Sequence, residues 1–259
     1  MSTDGRNLVE RMMWDEVARR IDSGAPAILP IGAAAKQHGL HLPLNTDRIQ
    51  AELLAARLAD PIGALIWPTL TYGHYPAFVD YAGSTSLSAP VFEAMVQQIA
   101  SSVLGHGCRA LFVLDTGIST LAPVEAALAR LGAGNALHLR IHDGPDYRRA
   151  AAAIAEQRHG SHADELETSL MLALAPQLVD MSRAEASPAL TREVPGRLTP
   201  TDTASPNYSR SGSFGDPTLA TAAKGEILLK AMLDDLNEQI LAFLAALATA
   251  KSPIRGVSR

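Results

Sequence analysis

The sequence predicts an α/β protein in which helices flank a mainly parallel central sheet. Three observations carry this prediction. Apolar runs of strand length alternate with helical patterns through the first two thirds of the chain. Strands separated by helices need crossover connections, which give parallel sheets covered on both faces. Hydrophobic residues make up 47% of the chain and charged residues 19%, which is enough apolar surface for a large core.

Four short apolar runs predict the strands, at residues 26–31, 64–67, 109–114 and 136–141. Amphipathic or capped stretches predict the helices, at residues 12–21, 46–58, 88–107, 122–131, 163–174 and 218–247. No internal repeat or second domain is evident, so we expect residues 1–259 to form a single domain.

Parallel sheets bind their ligands beyond the carboxyl ends of the strands. The loops that begin at Gly32, Leu70 and Asp115 are therefore the first candidates for a site. Residues 187–217 are rich in Pro, Ser, Thr and Gly without a helical period. A stretch of this length predicts a functional loop or a subunit contact.

Charge and cysteine content limit the class of protein. The net charge is −5 and no run of Lys or Arg occurs, which argues against nucleic acid or an anionic membrane as a partner. No segment approaches the roughly 20 apolar residues of a membrane span, and residues 1–7 are polar, unlike a signal peptide. The single cysteine, Cys108, is expected to be buried and suits a reducing compartment. We therefore expect a cytoplasmic protein.

The loop 32–47 is the first candidate for chemistry. It follows a predicted strand and contains Lys36, His38 and Asp47. A histidine and an aspartate at such a place suit metal binding or general acid–base catalysis. The alternative for Asp47 is a carboxylate that merely stabilises a helix N-terminus.

The second candidate lies at residues 159–174. In a helix that begins near Ala163, Glu167 shares a face with apolar residues, whereas Glu165 is expected on a more solvated face. A carboxylate on an apolar face is costly to bury unless it is paired or bound to a metal, so Glu167 is the predicted functional acid. His162 lies just before the helix. The alternative for Glu167 is a salt bridge to a buried arginine.

Two further loops give weaker candidates. Residues 115–120 place Asp115 and Ser119 beyond a strand, where they could contact substrate or metal, although an ordinary turn explains them almost as well. The tyrosine-rich loop 72–86 makes Tyr75 a candidate pocket residue, with aromatic packing as the alternative. The sequence has no Gly-rich phosphate loop, no G-x-S-x-G and no H-E-x-x-H.

Together these segments resemble the creatininase (creatinine amidohydrolase) family. The matching stretches occur in family order: PIG at 30–32, QHGLHLPLNTD at 37–47, YAGSTSLS at 81–88, GHGCRALFVLD at 105–115, HADELETSLMLALAPQLVDM at 162–181 and GDPTLATAAKGE at 215–226. The strings H-G-x-H-L-P-x-x-T-D and H-A-x-E-x-E-T-S are the most specific.

The resemblance implies a three-layer creatininase-like fold, frequently assembled as hexamers, and hence a homo-oligomer. It also implies metal-dependent hydrolysis of a small molecule, usually at a cyclic amide or related C–N bond, with zinc, manganese or iron. His38 and Asp47 match family metal ligands, Asp47 at the bridging position. Glu167 and His162 match the carboxylate and histidine that border the metal centre or act on substrate.

The sequence also departs from the family pattern. Family members usually carry a ligand Glu two residues before the ligand His, where this chain has Lys36, and the segment from Gly32 to His38 is one residue longer. The family's N-G-H motif reads DTG at 115–117, which puts Gly117 at the place of its His, and Phe78 stands where many members have another His. At least two ligands of the usual dinuclear centre are missing.

Three hypotheses follow, in this order. The first is an amidohydrolase with one divalent metal, held by His38, Asp47, Glu167 and either Asp115 or His162. The second is a metal-independent enzyme in which the charge of Lys36 replaces a cation while His162 and Glu167 perform acid–base chemistry. The third is a non-catalytic protein that binds a small molecule.

Overall fold

Four parallel strands form the centre of the protein, as the alternation of apolar runs and helices predicted. The computed structural model describes residues 5–187 and 196–250. The strands are β1 (Ala27–Ile31), β2 (Leu65–Ile66), β3 (Leu111–Asp115) and β4 (Ala136–Arg140), in the spatial order β2-β1-β3-β4. Every neighbouring pair is parallel. Each observed strand lies within one or two residues of its predicted bounds.

Seven α-helices surround this sheet in the described part of the chain: α1 (Trp14–Asp22), α2 (Thr46–Ile62), α3 (Ala89–Gly105), α4 (Leu121–Leu131), α5 (Pro145–Ile154), α6 (Glu165–Leu174) and α7 (Ala222–Ala250). Helix α5 was not predicted. Helix α2 runs four residues past its predicted end because its cap is Gly63, whose φ of +61° ends the helix in the left-handed conformation.

The two faces of the sheet pack into two separate cores, which confirms the three-layer fold. Side chains alternate along each strand. Ile28 and Phe112 therefore join a core with α2, α5, α6 and α7, while Leu29 and Val113 join a core with α1, α3 and α4. Cys108 is buried in the second core, as expected.

Helices α6 and α7 lie unusually close together, and this contact fixes the start of α6. Gly225 of α7 packs directly on the backbone carbonyl of Ser169, so that any side chain at this position would collide with it. Lys224 reaches across the contact to the carboxylates of Glu165 and Glu156 and to the carbonyl of Leu219.

The irregular region predicted at 187–217 joins the site described below. Residues 188–195 lie outside the described part of the chain. Of the remainder, Phe214 forms an antiparallel bridge with His162, and Thr199 pairs with Tyr208. Among the described helices, none has the length and apolar character needed to cross a membrane.

Candidate active site

The loop between β1 and α2 brings its polar residues to the carboxyl edge of the sheet. It turns sharply after Gly32, which packs against the backbone of Asp47 and leaves no room for a side chain. The loop closes through a hydrogen bond from the Lys36 amide to the Leu44 carbonyl at 3.1 Å. The end of β1 and the first turn of α2 are therefore held together, and the side chains of residues 36–47 converge.

Lys36 and Asp47 form a buried ion pair at the centre of this loop. The ammonium Nζ lies 2.7 Å from Asp47 Oδ2, and the two side chains are 8% and 2% exposed. Nζ also sits 5.0 Å from the centre of the Phe78 ring. Burial alone would raise the pKa of Asp47, but the charges of Lys36 and His38 outweigh it and hold this pKa well below its ordinary value. Asp47 is thus ionised, and Lys36 does not extend to solvent.

The ring of His38 is fully buried and both of its nitrogens face acceptors. Nδ1 lies 2.8 Å from the Lys36 carbonyl oxygen, so it donates a hydrogen bond there. Nε2 lies 2.8 Å from Asp47 Oδ1 and 3.7 Å from Glu167 Oε1. A neutral imidazole has only one N–H. The contact between Nε2 and two carboxylates therefore requires a second proton on the ring or a metal ion bound to that nitrogen.

His162 is held in a matching orientation by the next peptide unit. Its Nε2 donates to the Gln37 carbonyl oxygen at 2.8 Å, which leaves Nδ1 as the nitrogen with a lone pair, 3.8 Å from Glu167 Oε2. The ring lies against Phe78 and His38, with centroids 4.3 and 5.0 Å away. Burial, together with the positive charges of Lys36 and His38, lowers the pKa of His162 well below its ordinary value.

The side chain of Gln37 fixes the turn that supplies these two carbonyls. Its amide nitrogen donates to the Gly212 carbonyl, and its amide oxygen accepts from the Gly39 backbone N–H, both at 2.8 Å. The backbone of His162 is tied from the other side, because Phe214 N–H donates to the His162 carbonyl at 2.7 Å. Both imidazoles are therefore oriented by backbone that is itself hydrogen-bonded.

Glu167 is aimed at these rings by the first turn of α6. Asp164 caps the helix by accepting the backbone N–H groups of Leu166 and Glu167, each at 3.0 Å. Just before it, Ala163 has a φ of +46°, which is uncommon for a residue other than glycine. This conformation lets the Ala163 N–H donate to Glu167 Oε2 at 2.6 Å. Strained backbone at this point thus positions the carboxylate.

The expected burial of the two α6 carboxylates was wrong. Glu165 is fully buried, whereas the side chain of Glu167 is 18% exposed. Because α7 covers the face predicted to be solvated, Glu165 accepts the backbone N–H groups of Glu156 and Gln157 and pairs with Lys224. Glu167 points into a cavity instead of the apolar core. In the described chain its neighbours are histidines, so the alternative of a salt bridge to a buried arginine does not hold.

A cavity of about 680 Å³ opens beside this cluster. Its wall includes Lys36, Asp47, His162 and Glu167, which the sequence analysis had selected. Four further polar residues of the wall were not predicted: His142, Tyr147, Asp164 and Asn207. The candidate loop 187–217 contributes Gly196, Leu198, Asn207 and Phe214.

The three predicted substrate-binding residues lie in different places. Ser119 lines the cavity and donates to the His74 carbonyl at 2.7 Å. Tyr75 is buried behind Lys36, 5.6 Å from its ammonium, and is not part of the cavity wall. Asp115 is also outside the wall. Its carboxylate accepts from the Gly117 N–H at 3.0 Å and the Thr120 hydroxyl at 2.7 Å, and lies 3.2 Å from His138 Nε2. This arrangement does not support a substrate or metal contact for Asp115.

The donor set fits one divalent metal better than two. The ligand atoms of His38, His162 and Glu167 all lie within 4.8 Å of one another. Each imidazole donates its other N–H to a backbone carbonyl, an arrangement typical of metal-binding histidines. Asp47 adjoins the same His38 nitrogen through Oδ1. Its Oδ2 is occupied by the Lys36 ammonium, so a second cation would have to displace a buried ion pair.

A parallel α/β sheet that places imidazoles and carboxylates at its carboxyl edge, beside a half-open cavity, defines a hydrolase-like site. The particular family follows from comparison with known proteins. A family model described as creatinine amidohydrolase matches residues 10–240, and the chain therefore belongs to the creatininase family. This confirms the resemblance and the predicted enzyme class, a hydrolase of C–N bonds.

Two kinds of relative match most of the chain. It is 28% identical to the creatinine amidohydrolase of Pseudomonas putida, with 90% of this chain and 95% of the relative covered. It is also 28% identical to the mycofactocin precursor peptide peptidase of Mycolicibacterium smegmatis, with coverage of 86% and 87%.

Solved structures agree with this assignment. A creatinine amidohydrolase structure superposes with a TM-score of 0.78 at 26% identity, covering 90% of this chain and 96% of the other. A structure described as "Creatininase Mn" gives 0.78 at 25%, with coverage of 91% and 98%. A creatininase mutant described as "Zn-Zn type" gives 0.77 at 25%, with coverage of 91% and 97%.

Proposed function

We propose that this protein hydrolyses a C–N bond of a small amide, with one divalent metal held by His38, His162 and Glu167 and the Lys36 ammonium in place of a second cation. The observation that supports it best is the matched orientation of the two imidazoles. Adjacent carbonyls, those of Lys36 and Gln37, accept one N–H from each ring and direct the other nitrogen of each ring towards Glu167.

When bound, zinc, manganese or iron supplies a Lewis acid that polarises a carbonyl and acidifies water. The residues of this chain supply the rest. Glu167, the most exposed carboxylate beside the two rings, would hold the metal through one oxygen, while its other oxygen would take a proton from the attacking water and pass it to the leaving nitrogen. Lys36 keeps Asp47 ionised and presents a positive charge to the oxygen that becomes negative as water adds to the carbonyl. Asp47 Oδ1 lies beside the His38 nitrogen that would bind the metal.

Cyclic amides of the creatinine type are the first substrates to test, since creatinine is the named substrate of one relative. Peptide bonds are the second, because another relative is named as a peptidase. The homo-oligomeric state and the cytoplasmic location remain predictions.

The test is the metal content per chain, measured by inductively coupled plasma mass spectrometry after incubation with zinc, manganese and iron. We expect about one ion per chain in the wild type and loss of that ion in His38→Ala. His106→Ala removes an exposed histidine at the end of α3 and should retain the metal. Two ions in the wild type would contradict the role of Lys36.

A second variant tests the lysine directly. Lys36→Glu replaces the ammonium beside Asp47 with another carboxylate, so we expect the metal content to rise from about one to about two ions per chain. Circular dichroism and thermal unfolding in the presence of metal check that the variant is folded. An unchanged content in folded Lys36→Glu would mean that the ammonium does not occupy a cation position.

The metal-independent alternative is favoured by one observation. Protons alone satisfy the contacts of His38 if the ring is charged, since each nitrogen then donates to an oxygen 2.8 Å away. This alternative predicts that the active enzyme contains no metal, that chelators do not reduce its turnover, and that Lys36→Met abolishes the turnover. Loss of turnover after chelation, with recovery on adding metal, would exclude it.

A further inference from the structure

A second polar pair, His142 and Tyr147, also lines the cavity, and neither the motifs nor the proposed chemistry uses it. His142 follows β4, and Tyr147 lies in the first turn of α5. His142 Nδ1 and the Tyr147 hydroxyl are 3.2 Å apart, and the ring centroids are 5.4 Å apart. We call these two residues the His142–Tyr147 pair.

The position of this pair is fixed from α7. Asp235, a buried residue of α7, accepts the backbone N–H of Tyr147 at 2.8 Å and that of Asp146 at 3.1 Å. Gly144 packs directly against the same carboxylate, leaving no space for a side chain there. A pair held in this way presents its polar atoms in a defined geometry, which is a requirement for a binding site.

Whichever of the two groups donates the hydrogen bond between them, the pair keeps one donor without a partner in the described chain. If the Tyr147 hydroxyl donates to His142 Nδ1, the ring proton is on Nε2 and remains available to a ligand. If Nδ1 donates to the phenol oxygen, the hydroxyl proton is free. Neither side chain hydrogen-bonds to any other residue in the described chain. The pair therefore offers an unsatisfied donor.

Its surroundings make the pair uncharged. Burial raises the pKa of Tyr147 well above its ordinary value, so the phenol stays protonated. Burial lowers the pKa of His142. The carboxylates of Glu167, Asp47 and Asp143 act in the opposite direction, and the charge of Lys36 lowers this pKa further. The charged groups around the pair are thus mostly acidic. They disfavour an anionic group at the pair, while the free donor favours an acceptor.

The size of the cavity indicates how large a substrate it accommodates. A volume of about 680 Å³ lies well within the range of about 300–1,000 Å³ that accommodates ligands of drug size. A single small ring would leave most of it empty. A substrate that fills the cavity has a portion beyond the bond that is hydrolysed.

We propose that the His142–Tyr147 pair is a second subsite, which binds an uncharged hydrogen-bond acceptor of the substrate, such as an amide carbonyl other than the one that is hydrolysed. The proposal rests on the proposed function only in placing the substrate in this cavity. It makes the pair a determinant of specificity and leaves metal binding to other residues.

The test compares two probes that differ at one terminus, N-acetylglycylglycinamide and N-acetylglycylglycine. Binding to the metal-loaded full chain is measured by titration calorimetry, and hydrolysis is followed separately. We expect the wild type to bind the uncharged amide about tenfold more tightly than the carboxylate, the effect of one good hydrogen bond together with charge repulsion. His142→Leu and Tyr147→Phe should remove most of this preference, with unchanged metal content.

Two further variants keep the test specific. His142→Gln retains a side-chain N–H donor and should preserve most of the preference. Tyr72→Phe removes the hydroxyl of an exposed tyrosine outside the cavity and should have no effect. Equal affinities for the two probes, no detectable binding of the amide probe at millimolar concentration, or full preference in both His142→Leu and Tyr147→Phe would overturn the subsite. Preferential binding without hydrolysis of any amide would support the subsite and contradict the proposed function, and hydrolysis without preference would do the reverse.

Discussion

Asp47 and Asp115 are both 1% exposed, Asp47 in the first turn of α2 and Asp115 at the end of β3, yet their surroundings differ. Asp115 is satisfied by a backbone N–H, a threonine hydroxyl and a histidine, and it is not part of the cavity wall. Asp47 is held by a lysine and a histidine beside an open cavity. The residue type and the degree of burial are the same in both.

The difference lies in the partners of each carboxylate. Donors that belong to the fold, from Gly117, Thr120 and His138, satisfy Asp115. The partners of Asp47 are an ammonium and an imidazole that also approaches Glu167, so this cluster remains open to a cation or a proton. We therefore expect a buried acid to be functional when it and its partners line a cavity that a ligand can enter.

Glu167→Gln should give the largest effect, because it removes the charge of the carboxylate beside His38 and His162 and keeps the size of the side chain. We expect at least about a thousandfold loss of turnover, since an amide cannot accept the proton from water. The amide oxygen still accepts the Ala163 N–H, so the melting temperature should change little. Steady-state kinetics on an amide that the wild type hydrolyses measures the loss. Glu238→Gln, at an exposed position of α7, serves as the control, and retained turnover in Glu167→Gln would remove this residue from the mechanism.

Glu165→Ala tests the other carboxylate of α6, which is fully buried and bonded only to groups of the fold. It removes the carboxylate that accepts the backbone N–H groups of Glu156 and Gln157, and it leaves Lys224, 13% exposed, with only Glu156 as its carboxylate partner. Loss of one member of a buried ion pair costs about 3–5 kcal/mol. Urea unfolding should show this decrease, and Lys224→Met should restore part of it in the double variant. A decrease below about 1 kcal/mol would show that α7 does not fix the start of α6.

His41 extends the comparison to the histidines of the active-site loop. It is buried, with Nε2 2.8 Å from the Thr168 hydroxyl and no partner for Nδ1, and burial lowers its pKa to about 4. The unfolded state therefore binds the proton more readily. Its contribution to stability is complete above pH 6.5 and falls by about 3 kcal/mol as the pH drops towards 4.

The measurement is urea unfolding at pH 7 and pH 4.5 for the wild type and His41→Gln. The variant should lose less stability on acidification, because glutamine does not titrate. His106→Gln, which changes an exposed histidine, should behave like the wild type. Equal acid sensitivity in wild type and His41→Gln would mean that His41 titrates normally in the folded state.

Asp115→Asn should give the smallest effect and separates the two buried aspartates most cleanly. One of its three hydrogen bonds is lost or weakened, which costs about 1–3 kcal/mol of unfolding free energy. Metal content should remain at the wild-type level, whereas Asp47→Asn should lower it. Equal loss of metal in both variants would show that the cluster at Asp115 also supports the metal centre.

Much of the fold and half of the site were predictable because the signals are local. The four strands are apolar runs, and His38, Asp47, His162 and Glu167 lie in specific strings that the family shares. Helix α5 was missed because it is short and half of its core-facing side chains are alanines, although Tyr147 is buried in it. The burial of Glu165 depends on α7, which is distant in sequence, so periodicity within α6 could not assign the covered side.

The unpredicted wall of the cavity carried one usable signal. His142 follows the carboxyl end of β4, the same kind of position that drew attention to Gly32 and Asp115. The rule that ligands bind beyond strand ends applied to this fourth loop as well. Tyr147 and Asn207 had no such signal, because only the folded chain brings α5 and the loop 196–217 to this cavity.

Position 36 has two separable tasks, which affects how such a site can change over generations. Its backbone carbonyl orients His38, a task that any residue performs, while its side chain sets the charge next to Asp47. Under the proposed function, a single codon change there would alter the number of cations that the cluster accommodates and leave the ring in place. A lineage would then exchange a metal ion for an ammonium in one mutational step, without passing through a misassembled intermediate.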